Sequence, residues 1–267
     1  ISNKSKLKPF LDDLKVVEIK RKTGFSFFSS RNLARIIDEN KIDLIHIHWT
    51  KDIPIVVFAK LLSKKKPKIV QTRHMTMTRF KNDFYHKFLY KNIRGVIASD
   101  LDYVRPLLGN EKYLGIVANP INTDKITVIE NKISDKINIF LGINTGNSFK
   151  KGISFFEKAI AIIQEKYPNT VEVKITKDIP YSDYQKHFEK AHILLDQVYC
   201  FDQGFNALEA MAKGKVVFTG AETEFLNHYH LQENEVAINA LPDVEYLVEK
   251  LSFLIENPSE MERIGKN

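Results

Sequence analysis

Glu209 stands in a run of residue types that together could bind a nucleotide. The run covers residues 204–217 and reads Gly-Phe-Asn-Ala-Leu-Glu-Ala-Met-Ala-Lys-Gly-Lys-Val-Val. It predicts a loop, a short helix, a glycine stop and a buried strand. Free N–H groups at a helix start favour phosphate, and a carboxylate beside them can accept hydrogen bonds from two ribose hydroxyls. The alternative is a solvent-facing glutamate that only the helix dipole favours.

Strands and helices alternate along the chain, and this order positions such motifs. The alternation indicates parallel βαβ sheets, in which ligands bind at the carboxyl ends of strands. The first helix is expected to run to Glu39 from a cap at Ser29 or Ser30. The predicted strands are 15–19, 43–48, 68–72, 95–99, 137–141, 171–176, 193–196 and 215–219, and the other predicted helices are 53–63, 83–92, 101–108, 154–166, 181–190 and 244–256.

The run at 204–217 resembles a motif of the GT-B glycosyltransferases of family 4, E-G-F-G-x-x-x-x-E-A-M-A-x-G-x-P-V. Other segments resemble further motifs of this family, in the family's order. They are DLIHIH at 43–48, IVQTRH at 69–74, GVIAS at 95–99, ANPIN at 118–122 and KKG at 150–152. The resemblance implies an α/β fold with two Rossmann-like βαβ domains that face a cleft.

The resemblance also implies a division of the chain. Residues 1–122 would form the acceptor-side domain, 123–135 the interdomain segment, and 136–267 the domain that binds the nucleotide-sugar donor. The first domain is expected to be incomplete at its N-terminus. The reasons are that Ile1 is not a start methionine and that the Lys-rich opening replaces the usual first strand.

Site residues follow from the resemblance, position by position. His74 would lie near the acceptor and the reacting carbon, Lys151 would hold the diphosphate, and Glu209 would bind the ribose; these are the predicted catalytic residues. The predicted donor-binding residues are Asn119, Lys150, Lys151, Gly204, Phe205, Asn206, Ala207 and Glu209. No metal and no other cofactor is expected, because GT-B enzymes generally stabilise the leaving diphosphate with cationic side chains and helix N-termini.

Two positions depart from the family pattern. The arginine that precedes the diphosphate lysine is missing from residues 142–152, where Lys150 is the neighbouring cation. Lysine is a point charge and lacks the bidentate fork of arginine. Phe201 stands where the family has its first glutamate, and it cannot accept a hydrogen bond from the donor sugar. The side chains that could take this role are Asp196, Gln197, Asp202 and Gln203.

Charge is distributed unevenly along the chain. Residues 1–118 contain 24 Lys and Arg against 11 Asp and Glu, whereas residues 119–267 contain 16 against 22. The first half is therefore expected to meet an anionic partner, which could be a membrane surface, an acidic acceptor or a nucleic acid. Phe80, Phe84 and Phe88 recur there at helical spacing beside lysines. The stripe is more often core, but such a helix can also lie on an anionic bilayer.

Other features restrict the class of protein. His46 and His48 share one face of a predicted strand; packing is favoured over metal binding, because no third ligand has suitable spacing. Cys200 is the only cysteine, which indicates a reducing compartment. No apolar run approaches the length of a membrane span. A cytoplasmic protein is expected, with possible peripheral contact at the inner face of the cell membrane.

These observations lead to one expected function and three alternatives. The chain is expected to be a metal-independent, hexosyltransferase-type glycosyltransferase. It would move a sugar from a nucleotide diphosphate sugar to a glycan or lipid-linked acceptor, with retention, in bacterial surface polysaccharide or lipopolysaccharide assembly. The first alternative is a noncatalytic GT-B-like protein that binds a nucleotide or glycan. A nucleic-acid-binding module is disfavoured by the cleft motifs, and an epimerase would not need a basic, aromatic N-terminal face.

Overall fold

A computed structural model of the chain describes residues 15–19, 26–73, 83–97, 109–115, 117, 119–128, 133, 135–200 and 203–267. The chain divides into two compact units, Ile1–Val117 and Ala118–Asn267. The described residues of each unit contain a parallel sheet with helices packed against it. The predicted α/β class with parallel sheets is therefore confirmed.

The first unit is built on a sheet with strand order β1-β2-β3-β4. Its buried centre includes Val57, Ile69 and Val96, which come from a helix and two neighbouring strands. A smaller cluster of Ala34, Ile37 and Ala59 packs two helices together. The described elements are α1 (Phe27–Glu39), β1 (Leu44–Ile47), α2 (Ile53–Leu62), β2 (Lys68–Thr72), α3 (Phe84–Lys91), β3 (Gly95–Ile97) and β4 (Tyr113–Gly115).

The first helix is capped by Ser26, and the prediction of a cap at Ser29 or Ser30 is wrong. Ser26 has extended backbone angles, and its hydroxyl accepts the N–H of Ser29 at 3.3 Å. Ser29 and Ser30 lie inside the helix and are buried. All three serines are suitable caps by residue type. In the structure Ser26 is the cap, and Ser29 and Ser30 become buried positions inside the helix.

The second unit is built on a sheet with strand order β6-β5-β7-β8-β9. Phe156, Ile160 and Leu251 pack from two helices onto its buried strands. The elements of this unit are β5 (Ile137–Ile143), α4 (Ser148–Lys151), α5 (Ile153–Lys166), β6 (Val171–Lys177), α6 (Tyr181–Lys190), β7 (Ile193–Leu195), α7 (Phe205–Ala212), β8 (Val216–Thr219), α8 (Thr223–Tyr229), β9 (Ile238–Asn239), α9 (Val244–Glu256) and α10 (Pro258–Lys266). Because the strands are parallel, the carboxyl ends of β5, β6, β7 and β8 lie along one edge of the sheet.

Most predicted elements are confirmed, and several bounds agree to the residue. Strand β2 and helices α6 and α9 have the predicted limits. Strand β5 runs two residues further than predicted, and β4, α4, α8, β9 and α10 were not predicted. The predicted helix 101–108 lies outside the described residues. At 15–19 the structure shows one bridging residue, Ile19, in place of a strand.

Two expectations about side chains in the first unit need correction. The side chains of His46 and His48 are exposed, with ring centroids 4.1 Å apart, so they do not pack into the core. Phe88 packs against the core as predicted, but Phe84 is 87% exposed. Phe80 lies outside the described residues. Among the described helices, none is long and apolar enough to cross a membrane.

Candidate functional site

A cavity of about 320 Å³ opens in the second unit at the carboxyl ends of β5 and β6. Helix α4 and the first turns of α6 and α7 complete its walls. Two predicted donor-binding residues, Lys151 and Asn206, line this one cavity, although they lie 55 positions apart in the chain. The lining residues are Gly142, Ile143, Asn144, Lys151, Thr176, Asp178, Ile179, Tyr181, Tyr184 and Asn206.

The start of helix α7 offers backbone donors to this region. Gly204 is the N-cap, with φ −79° and ψ 171°, and no side chain of the described residues caps it. A Cβ placed on Gly204 would meet nothing within 4 Å, so there is open space beside the helix start. Phe205 is 56% exposed and Ala207 is fully buried. The first-turn N–H groups and the helix dipole therefore give this end a positive potential.

Two amides fix the loop that leads into α7. Asn119 donates its side-chain amide to the carbonyl of Gln203 at 3.2 Å. Gln203 is buried, and its own amide donates to the carbonyl of Gly220 at 2.6 Å. The loop is thus tied both to the residue after β8 and to Asn119. The structure places Asn119 beside the predicted donor site, as a support for the loop that precedes Gly204.

Lys151 reaches the cavity from the end of helix α4. That helix ends at Gly152, whose φ is +63° and whose added Cβ would lie 2.1 Å from Val198. Only glycine fits this turn without strain. The Lys151 ammonium donates to Asp196 Oδ1 at 2.6 Å, and Thr219 donates to Asp196 Oδ2 at 3.3 Å. Lys151 is therefore held by a carboxylate that is almost fully buried.

Glu209 lies one turn beyond Asn206 on helix α7, and its side chain is 33% exposed. Its carboxylate lies 3.8 Å from the ammonium of Lys213, which is longer than a hydrogen bond. Lys213 instead donates to the carboxylate of Glu189. The oxygens of Glu209 thus keep capacity to accept hydrogen bonds from a ligand.

A tyrosine joins the walls of the cavity. The hydroxyl of Tyr184 donates to Asn206 Oδ1 at 2.7 Å. Burial raises the pKa of Tyr184; the hydrogen bond to Asn206 opposes this, and the carboxylates of Asp196 and Glu209 raise it further. Tyr184 therefore stays a neutral donor. Tyr181 stacks on it, with centroids 6.4 Å apart and planes at 11°, and exposes 70% of its surface at the cavity rim.

Other predicted site residues are placed differently. His74, Phe201 and Asp202 lie outside the described residues. Asp196 and Gln203, which were expected as possible contacts to the donor sugar, are engaged with Lys151 and Gly220. Lys150 is exposed beside Lys151. In the part of the chain that the structure describes, no group of three or more His, Cys, Asp or Glu side chains could hold a metal ion.

Comparison with known proteins gives a consistent picture. Residues 1–100 match the family profile described as "Glycosyl transferase 4-like". The structure is similar to a glycosyltransferase from Rickettsia africae, with 16% identity over 98% of this chain and 81% of that chain and a TM-score of 0.66. It is also similar to HepE of Anabaena in complex with UDP and glucose, with 13% identity, coverage of 98% and 83%, and a TM-score of 0.71. The resemblance to GT-B glycosyltransferases of family 4 is confirmed.

A third similar structure is sucrose-phosphate synthase from Thermosynechococcus elongatus, with 15% identity, coverage of 96% and 75%, and a TM-score of 0.63. A search of curated protein sequences gave no match. At these identities the structural likeness establishes the fold. The chain therefore has the fold of nucleotide-sugar-using glycosyltransferases, and the roles of individual residues must be argued from its own geometry.

Sequence reasoning missed the part of the cavity that follows β6. Asp178 accepts hydrogen bonds from the backbone and hydroxyl of Thr145, and these bonds lower its pKa. They join the loops after β5 and β6. Tyr181 and Tyr184 then enter from the first turn of α6. The available signal was Pro180, which caps helix α6 shortly after β6 ends and so places the start of that helix at the ligand-binding edge.

Proposed function

We propose that this chain is a glycosyltransferase that moves a sugar from a nucleotide diphosphate sugar to a glycan or lipid-linked acceptor. The observation that carries the proposal is the cavity in the second unit. Lys151 and Asn206, in the first turn of α7, line this cavity, and Glu209 lies one turn further along the same helix. A cation, backbone donors and a carboxylate are the groups that a diphosphate and a ribose require.

In the proposed complex, the diphosphate lies between Lys151 and the start of α7 near Gly204. Glu209 accepts hydrogen bonds from the ribose hydroxyls. The exposed ring of Tyr181 offers a face on which a nucleobase can stack. As the diphosphate leaves, the ammonium and the helix dipole stabilise its charge, so the proposal requires no metal ion.

We propose that residues 1–117 serve the acceptor, with His74 near the reacting carbon, and that transfer proceeds with retention. The support is the excess of basic residues in this part of the chain. Exposed Phe84 and Phe28 add apolar surface to it. A basic surface with exposed aromatic rings suits a lipid-linked acceptor at an anionic bilayer. The proposed setting is bacterial surface polysaccharide or lipopolysaccharide assembly at the inner face of the cell membrane.

A noncatalytic nucleotide-binding protein is the second candidate. The observation in its favour is a sequence departure at the site: Phe201 stands where the family has its first glutamate, and it cannot accept a hydrogen bond from the donor sugar. The arginine that would supplement the predicted diphosphate lysine, Lys151, is absent. Both candidates require nucleotide binding, and they differ in whether the donor bond is broken.

The first experiment is a thermal-shift panel of UDP, GDP, ADP and CMP with wild type, Glu209→Ala and Glu224→Ala. Glu224 is the control, because it is a glutamate on another short helix of the same unit and does not line the cavity. Loss of charged hydrogen bonds to ribose should cost about 1.5–3 kcal/mol. Glu209→Ala should therefore weaken nucleoside diphosphate binding roughly tenfold to hundredfold, whereas Glu224→Ala should bind like wild type.

A folded Glu209→Ala protein with wild-type affinity would contradict the ribose role. Failure of wild type to bind any compound in the panel would contradict the proposed function. A second assay then measures hydrolysis of the nucleotide diphosphate sugar whose base binds best. Release of free sugar supports a transferase, whereas binding without bond cleavage supports the noncatalytic candidate.

A further inference from the structure

The lysine proposed to bind phosphate at the cavity is already paired with a buried carboxylate. Asp196 lies directly after β7, and its side chain is 1% exposed. Its two oxygens accept from Lys151 at 2.6 Å and from Thr219 at 3.3 Å. Its backbone N–H donates to the carbonyl of Phe218 at 2.9 Å. The carboxylate is therefore rigidly held inside the sheet edge, and it directs its negative charge at the proposed phosphate lysine.

Lys151 can change partners, whereas Asp196 cannot. The lysine side chain is 31% exposed and lines the cavity, and an ammonium group has three donors. One donor is used by Asp196 in this structure. A phosphate that enters the cavity would share the ammonium with a carboxylate that stays where it is. Two anions on one lysine repel each other, so Asp196 lowers the affinity of the site for the charged part of its ligand.

Resting on the proposed function, we propose that Asp196 is a built-in counter-ion that competes with the diphosphate for Lys151 and so promotes release of the nucleoside diphosphate product. The buried carboxylate needs its lysine, because an unpaired buried charge is strongly unfavourable. As the diphosphate leaves, the ammonium returns fully to Asp196. The pair limits how tightly the product is retained after the sugar has been transferred.

The test measures affinity in wild type, Asp196→Asn and Thr219→Val. The probes are inorganic pyrophosphate, the best-binding diphosphate among UDP, GDP and ADP, and the corresponding nucleoside. Asparagine keeps the shape and removes the charge, so pyrophosphate and the nucleoside diphosphate should bind about tenfold tighter. The nucleoside should bind within about twofold of wild type. Thr219→Val removes a hydrogen bond from the same carboxylate without changing its charge, and it should show no gain in affinity.

A second pair of variants tests whether the effect passes through the lysine. Lys151→Met combined with Asp196→Asn should bind pyrophosphate no tighter than Lys151→Met alone. Should Asp196→Asn fold poorly, Asp196→Ala also removes the charge and should shift affinity in the same direction. Damage to the fold weakens binding, so a gain in affinity cannot come from a merely structural role of Asp196.

Equal or weaker pyrophosphate binding by the charge-removing variants would overturn the counter-ion proposal. So would a gain that persists without Lys151, or a complete absence of pyrophosphate binding. Failure of the proposed function gives a different result. In that case the variants would gain affinity for pyrophosphate, but no nucleoside diphosphate would bind better than pyrophosphate itself.

Discussion

Replacing Gly204 with alanine separates ligand binding from folding. Gly204 has φ −79°, which alanine also adopts, and its added Cβ meets nothing within 4 Å. Glycine is a better N-cap than alanine, so the substitution should cost roughly 0.5–1 kcal/mol of stability. If phosphate oxygens approach the first-turn N–H groups of α7, the new methyl group enters the space that they need. Losing one charge-assisted hydrogen bond costs about 1.5–3 kcal/mol.

The expected result for Gly204→Ala is therefore roughly tenfold to hundredfold weaker binding of nucleoside diphosphate, measured by calorimetry. Gly146→Ala is the control: its added Cβ approaches only the side-chain oxygen of Asn144, at 3.2 Å, so it leaves the start of α7 unchanged. The control should bind within a few-fold of wild type. A folded Gly204→Ala protein with unchanged affinity would refute the placement of phosphate at the start of α7.

Three further predictions concern the pH dependence of stability, the need for a metal ion and binding to membranes. Burial lowers the pKa of Lys215 from 10.5 to about 8. Between these values the unfolded chain binds more protons than the folded chain, so stability should rise with pH. Urea unfolding at pH 8 and pH 9.5 should show a rise of about 1 kcal/mol after solvent screening, and Lys215→Met should lose it. EDTA should leave transferase activity unchanged; activity that EDTA abolishes and Mg²⁺ or Mn²⁺ restores would contradict a metal-independent site. Anionic vesicles should bind the whole chain at low salt and release it at high salt, and absence of binding at low salt would favour a soluble acidic acceptor.

Local signals in the sequence predicted many element boundaries correctly. Pro180 fixes the start of α6, and the carboxylate of Asp243 accepts the N–H groups of Glu245 and Tyr246 at the start of α9. These signals act over a few residues, so they can be recognised without the fold. The run at 204–217 was interpreted correctly as loop, helix and strand for the same reason.

The remaining features depend on contacts between distant residues. Strand β5 was expected to end at Leu141, one residue before Gly142. It continues to Ile143, because Gly142 and Ile143 both pair with β6. The lack of a Cβ is needed at Gly142, since an added Cβ would lie 2.3 Å from the ring of Tyr184. Neither the pairing nor the close approach can be predicted from the neighbouring residues.

The candidate site could likewise be predicted only in part, because contacts between distant residues complete it. Motif spacing identified Lys151 and Asn206 separately, and both line the cavity. The partner of Lys151 was not predicted, because Asp196 lies 45 positions away and meets it only when the end of β7 reaches α4. Sequence reasoning assigned Asp196 a possible contact with the donor sugar, and the structure instead pairs it with the proposed diphosphate lysine.

This pairing also bears on the choice between a transferase and a binding protein. At the proposed ribose end, Glu209 keeps capacity to accept hydrogen bonds, so both candidates predict nucleotide binding there. At the proposed phosphate end, Lys151 is paired with a buried carboxylate, and Lys150 is the neighbouring cation in place of an arginine. Tight retention of a diphosphate would need an unshared cation. A site with a shared cation suits a protein that must release its product, because stabilising the leaving group and releasing it afterwards place opposite demands on the same charge. If Asp196 acts as the proposed counter-ion, the pair favours turnover over storage of a nucleotide.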